Sequence, residues 1–220
     1  MNPLRRLRGL PGLPGLIRLP LPRLPGSEVL VDLGVHALFQ GRRAQAYAGL
    51  VSLARPEPGD TVVDVGSGTG YLATLLARRV TPGGEVIGVE PSPAAVDRAR
   101  GRAAHGCRFE VGSAHELPMG DGAADLVMSS LLVHHIEPAE RPAAVVEMAR
   151  VLRPGGRLFL ADLKRLDNPV LNAGAGAVIP CFSAALTHPE LIDLVTGGGF
   201  HVERSGEYWG RMRYVAAVRD

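Results

Sequence analysis

Asp64 closes an apolar run and stands directly before a glycine-rich turn, Gly66-Ser67-Gly68-Thr69-Gly70, in "VVDVGSGTGYLA" (62–73). Glycines at alternate positions let the backbone turn tightly and approach a ligand, with the N–H groups of a following helix pointing at it. A dinucleotide fingerprint, G-x-G-x-x-G, would need glycine at position 71, where Tyr71 stands. That fingerprint also puts an anionic pyrophosphate on the turn, where Asp64 adds an unfavourable charge. A cationic ligand reverses the argument: Asp64 and the open carbonyls of the loop suit an ammonium and a sulfonium. Glu90, twenty residues beyond Gly70, lies where a carboxylate accepts both hydroxyls of a ribose.

These residues need a frame. Strands read at 61–65, 85–89, 107–111, 124–129, 157–161, 200–206 and 211–218, and helices near 70–80, 93–104, 142–152 and 188–197. Ser27 caps a further helix over 28–40, Gly41 breaks it, and another helix runs from about Arg42 to Ala54. Strands alternating with helices predict an α/β, Rossmann-like, seven-stranded, mainly parallel sheet with helices on both faces. The last two strands, with only "GEYWGR" between them, read as an antiparallel hairpin that gives the sheet an antiparallel edge; Arg211 and Arg213 alternate with Met212 and Tyr214 on the final strand and read as its solvated face. "THPE" (187–190) reads as a capping box for the helix near 188–197, with Thr187 as N-cap and Glu190 at N3. Residues 163–187 are irregular and apolar-rich, and a connection of that length shapes a site more often than a short one.

Within that frame the motifs "DVGSGTG", "VIGVEPS", "GSAHELP", "ADLVMSSLLVHHI" and "MARVLRPGGRLFLADL" follow one another in an order and spacing that resemble the class I S-adenosylmethionine-dependent methyltransferases, of the group that includes quinone and other small-molecule methyltransferases. The resemblance covers about residues 42–220. It implies S-adenosyl-L-methionine as cofactor and S-adenosyl-L-homocysteine as product. It assigns Asp64, Gly66, Ser67, Gly68 and Gly70 to the methionine end, Glu90 to the ribose, and Pro91 and Ser92 to the adenine flank. Ser113, the backbone of Ala114 and His115 are expected at the adenine, and Ser130 beside the transferable methyl. Relatives carry an acid where Ser113 stands; a serine hydroxyl still accepts a hydrogen bond, so weaker binding is expected there.

Methyl transfer from a sulfonium is an in-line displacement that needs alignment and exclusion of water. A base is needed only where the acceptor carries a proton at neutral pH, and for a phenol or hydroxyl a histidine is apt. "SSLLVHHIEP" (129–138) leaves the fourth strand at the carboxyl edge, where ligands bind in open α/β sheets. Adjacent side chains of a regular strand or helix point in different directions, so His134 and His135 are not expected to chelate one metal. A metal-dependent site would also want an acid at this strand end, where Ser129 and Ser130 stand; Asp162 and Asp167–Asn168 meet a second such condition only loosely. No metal is therefore expected. Two readings stay open: one of the two histidines as general base, His134 preferred because it stands at the family's more regular position, or His134 bonded to backbone and His135 lining a wall.

Residues 1–27 hold five arginines and no acid, which leaves 19 basic against 22 acidic residues in the rest of the chain. A mildly acidic body offers no footprint for nucleic acid. No run approaches eighteen apolar residues, so no membrane span is expected. Cys107 and Cys181 lack metal-ligand spacing and read as free thiols of a reducing cytoplasm. Prolines break the arm 1–26, whose leucines at 4, 7, 10, 13, 16 and 19 would share one edge of a polyproline II helix. It reads either as a flexible extension or as a cover for a pocket or partner, ahead of a single domain over 27–220. The expected function is methylation of a small apolar or aromatic acceptor, of secondary metabolism or quinone-like. Its pocket is expected from residues 27–41, 130–136 and 162–186, with Val170, Leu171, Val178, Ile179 and Phe182 as lining. A non-methylating enzyme that binds the same cofactor, or a degenerate binding protein, is the alternative; monomer and homodimer are both open.

Overall fold

The computed structural model describes residues 39, 41–165 and 184–220. The arm 1–26, all but Phe39 of the helix expected over 28–40, Asp167–Asn168, Cys181 and the five apolar lining residues lie outside the described residues.

Short β-branched runs, "TVVDV" and "EVIGV" among them, alternate with segments whose apolar residues recur at helical spacing, and the chain folds accordingly. In order come α1 (Arg43–Ala54), β1 (Thr61–Val65), α2 (Tyr71–Val80), β2 (Glu85–Glu90), α3 (Pro93–Arg100), β3 (Cys107–Val111) and β4 (Ala124–Ser130). A 3₁₀ turn (Val133–His135), α4 (Arg141–Val151), β5 (Leu152–Leu163), α5 (His188–Gly197), β6 (Phe200–Tyr208) and β7 (Met212–Arg219) complete it. The strands form one seven-stranded sheet in the order β3-β2-β1-β4-β5-β7-β6. All pairings from β3 to β5 are parallel; β7 runs antiparallel to both β5 and β6. The hairpin expected at the edge is present, with its second strand inserted beside β5 and its first at the rim. The order reverses between β1 and β4, so their carboxyl ends flank the crevice in which open α/β sheets hold ligands.

Alternation along the strands divides the core. Val62, Val86, Leu126, Met128, Phe159 and Ala216 pack with α1, α2 and α3, whereas Val63, Ile87, Val127, Leu158, Leu160 and Val215 pack with α4 and α5. Asp64 shares the face of Val62, among apolar side chains.

Some boundaries differ from expectation. α3 stops at Arg100, where Gly101 caps it. β5 begins at Leu152, immediately after α4, and its pairing with β4 skips from Leu152 to Arg157. Pro154 has no N–H for the ladder and Gly155 is left-handed (φ 71°), so "RPGG" loops out. Arg213, expected on a solvated face, is buried at 7% exposure because β7 is an interior strand. Its guanidinium donates to the Leu186 carbonyl at 3.4 Å. Thr187 and Glu190 form the expected capping box at the start of α5. No helix among the described residues is long and apolar enough to cross a membrane.

Candidate active site

Asp64, the fourth residue of a buried five-residue strand, is 1% exposed, and its Oδ2 has no hydrogen-bond partner among the described residues. Burial, with Glu90 adding repulsion and the Ala73 N–H opposing, pushes its carboxyl up to about 7. Ser67 Oγ and Ser130 Oγ are likewise buried without a partner. All three residues line one small cavity with Arg43, Tyr47, Gly66, Tyr71 and Leu72, and its enclosed space of ≈ 30 Å³ suits an ammonium-sized group. Orphaned buried polar groups cost about 1–3 kcal/mol each, so three at one place point to a missing donor-bearing ligand. The neighbouring Ser129 is different: its hydroxyl donates to the Val65 carbonyl at 2.9 Å and ties β4 to β1.

The glycines are fixed by geometry. Gly66, Gly68 and Gly70 all have positive φ (78°, 53° and 80°). A Cβ on Gly70 would lie 2.6 Å from Phe109 Cζ, inside the core, whereas one on Gly68 would meet nothing within 4 Å. Gly70→Ala should therefore destabilise the fold by about 2–4 kcal/mol, from backbone strain and overpacking. Gly68→Ala should cost only about 1 kcal/mol, while its methyl would enter the open space over the turn, where the resemblance puts the cofactor's methionine end, and should weaken S-adenosylhomocysteine binding. Urea melts and calorimetric titration of both variants separate the two effects.

Glu90, at the end of β2, accepts the Gly68 N–H at 3.2 Å and the Ser92 N–H at 3.1 Å, which ties the glycine turn to the start of α3. Ser92 caps that helix through Ala95, and the exposed Pro91 lies between. Ser113 and Ala114 follow β3. Ser113 is exposed; its hydroxyl accepts the His115 N–H at 3.2 Å and lies 3.1 Å from His115 Nδ1. These residues border the carboxyl ends of β2 and β3, one strand over from the cavity.

Beyond Ser130 the chain takes a left-handed turn at Leu131 (φ 59°), a conformation that costs a non-glycine residue about 1–2 kcal/mol. The turn sets Leu132 against Gly66 and swings His134 back toward β5. The His134 N–H donates to Asp162 Oδ2 at 2.9 Å, its Nδ1 contacts Asp162 Oδ1, and that oxygen also accepts the Leu163 N–H at 2.6 Å. Histidine and aspartate are 6% and 3% exposed. An ionised carboxylate only accepts, so Nδ1 of a neutral imidazole carries the proton and Nε2 is the basic nitrogen.

The partner on His134 is thus mainly a side chain, not backbone alone. From the sequence, Asp162 reads only as a loose metal-ligand candidate. Its signal was an acid one residue past Ala161, which pairs with Ser130, so both chain exits lie together. The histidine rings also differ from expectation. They approach to 4.0 Å between centroids, although the 3₁₀ turn that carries them sets successive residues about 120° apart around its axis. His135 remains exposed. Among the described residues, no group of three or more His, Cys, Asp or Glu converges as a metal site. Trp209 stacks edge-on to Phe39 at 6.2 Å and anchors the hairpin against the chain before α1.

Comparison with known proteins agrees with this geometry. A family described as "Methyltransferase domain" matches residues 62–156. A methyltransferase of Synechocystis sp. is 32% identical over 166 residues, 74% of this chain and 76% of its own length. An arsenite methyltransferase of Halobacterium salinarum is 36% identical over 116 residues, 51% of this chain. The chain spans only 29% of that relative's length, and 30% of a transposon-borne protein of Streptomyces fradiae to which it is 38% identical over 108 residues. Among solved structures, a SAM-dependent methyltransferase of Aquifex aeolicus superposes with a TM-score of 0.72 at 20% identity, over 89% of this chain and 98% of its own, which establishes the shared fold. With a one-third-identical relative matched over three quarters of both lengths, the chain belongs to the class I S-adenosylmethionine-dependent methyltransferase family.

Proposed function

We propose that the protein transfers a methyl group from S-adenosylmethionine to a small apolar or aromatic acceptor that carries a proton on its nucleophilic atom. The observation that carries this reading is the convergence of partnerless buried atoms of Asp64, Ser67 and Ser130 on one cavity at the sheet's switch point. When bound, the cofactor supplies an electrophilic methyl on a sulfonium. Asp64 receives the ammonium of its methionine end, and Ser67 with the backbone of Gly66, Gly68 and Gly70 encloses it. Glu90 exchanges its bonds to the turn for the ribose hydroxyls, while Pro91, Ser113 and Ala114 border the adenine. Ser130 and Leu132 exclude water beside the methyl.

His134 would take the acceptor's proton at Nε2 as the acceptor gains its bond to the methyl carbon and the carbon–sulfur bond breaks, leaving neutral S-adenosylhomocysteine as the thioether, and Asp162 would stabilise the resulting imidazolium. The apolar-rich sequence between β5 and α5 supports an apolar acceptor, of secondary metabolism or quinone-like, met in the cytoplasm. Incubation of the full chain with methyl-labelled cofactor and a panel of phenols, quinols and aliphatic alcohols tests the reading. Label in an extracted product is expected. Conversion of an acceptor without label would point to a non-methylating enzyme, and failure to bind S-adenosylhomocysteine would point to a degenerate pocket.

A further inference from the structure

We infer that Arg141, the first residue of α4, is a positioning residue for His134: its guanidinium ties the exit of the histidine turn to the chain entering α5 and so fixes where the imidazole stands. The inference rests on the reading of His134 as the base and adds to it a residue that no motif of the sequence singles out. Arg141 is 6% exposed. Its Nε donates at 3.0 Å to the carbonyl of Ile136, two residues past His134. Its Nη2 donates at 2.8 Å to the carbonyl of Ala184, 43 residues further along the chain. Among the described residues no carboxylate comes within ion-pair distance of it. Glu190, which lines the same cavity, accepts instead from the N–H and hydroxyl of Thr187.

The two ends of this bridge are not equivalent. The Ala184 end is anchored independently of the loop: the Leu186 carbonyl accepts from Arg213 at 3.4 Å, and Thr187 closes the capping box of α5 with Glu190. The Ile136 end belongs to a single 3₁₀ turn, closed within itself by the His135 and Ile136 N–H groups and held by Asp162 at His134. The guanidinium therefore imposes the position of the anchor on the turn. Burial of a guanidinium without an acid beside it costs stability; what its two bonds secure is the place of the loop. The rigid fork meets two carbonyls from different segments, a geometry that the ammonium of lysine reproduces poorly. A shift of about 1 Å at a reacting group can cost about a hundredfold in rate, so a second brace on the turn bears on the chemistry.

Proton exchange tests this without an acceptor. The full chain, isotopically labelled, is followed by NMR at pH 7.5. In the wild type the His134 Nδ1–H, identified by its loss in His134→Gln, should exchange slowly, because it is buried against Asp162. Arg141→Lys should speed that exchange about tenfold or more, and Arg141→Met, which loses both bonds, further still. In Arg141→Lys the backbone amides of Val63 and Val127, in the core of β1 and β4, and the calorimetric affinity for S-adenosylhomocysteine should change less than about twofold.

Unchanged exchange of the Nδ1 proton in both variants overturns the inference. Acceleration of the Val63 and Val127 amides by the same factor in Arg141→Lys also overturns it, because a residue that only stabilises the fold would act that way. A wild-type Nδ1 proton too fast to observe removes the buried pair on which the inference stands. Absence of S-adenosylhomocysteine binding to the wild type, with the exchange pattern as expected, strikes the cofactor reading and leaves Arg141 as the brace of His134.

Discussion

Asp64→Asn weakens S-adenosylhomocysteine binding by about a hundredfold or more, and the same substitution makes the ligand-free protein more stable at neutral pH. The binding loss follows from removing one partner of a buried charge pair, which costs about 2–5 kcal/mol. The gain in stability follows from the state of Asp64 without ligand. Burial and the nearby Glu90 raise its carboxyl from 3.8 to about 7. A carboxyl whose folded value is raised holds its proton in the fold after the unfolded chain has lost it. Its contribution is therefore fully present below about pH 4 and is lost as pH rises through about 7. At pH 7.5 the deficit amounts to about 4 kcal/mol at most. Asparagine is neutral throughout and lacks that deficit. Thermal melts of both proteins should separate by about 5 °C or more at pH 7.5, the variant higher, and draw together toward pH 4. A variant less stable than wild type at pH 7.5, in the absence of ligand, contradicts the assignment of a strained, ligand-requiring carboxyl.

Asp162→Asn lowers turnover about a hundredfold or more for a hydroxyl or phenol acceptor, while affinity for S-adenosylhomocysteine stays within about threefold. Asp162 holds His134 at both its backbone N–H and its ring Nδ1. An amide in its place can turn its NH₂ toward Nδ1, which moves the imidazole proton to Nε2, the nitrogen that must receive the acceptor's proton. His134→Ala should show the same loss. Both side chains are buried, so both variants should also melt earlier, and turnover is compared per folded protein. A purely architectural pair would lower the melting temperature and leave turnover per folded molecule, and its pH profile, unchanged. A positioning role instead removes or displaces the acidic limb of the wild-type profile. The left-handed Leu131 belongs to this arrangement, since its turn aims His134 at β5.

The residues that local pattern dictates were legible in the sequence. The strand "TVVDV", the positive-φ glycines 66, 68 and 70, and the Thr187–Glu190 capping box depend on near neighbours along the chain, and the structure has them where the pattern puts them. What depends on partners far apart in sequence was not legible. Asp162 meets His134 across 28 residues because β4 and β5 lie side by side, and nothing within either strand announces that pairing. Arg43 belongs to a helix 21 residues before Asp64 with no motif of its own, and only the packing of α1 on α2 brings it to the cavity. Arg213 read as solvated because its alternation with Met212 and Tyr214 resembles an edge strand. Insertion of β7 between β5 and β6 covers it, and strand order is not a local property.

The most direct measurement is calorimetric titration of the full chain with S-adenosylhomocysteine at pH 6 and pH 8, each in two buffers of different ionisation enthalpy. Expected is one-to-one binding that tightens from pH 6 to pH 8. A proton should be released on binding at pH 6, as Asp64 ionises against the ligand's ammonium, and this release should vanish in Asp64→Asn. Absence of binding, or binding with the same proton release in Asp64→Asn, would contradict the placement of the cofactor's methionine end on Asp64.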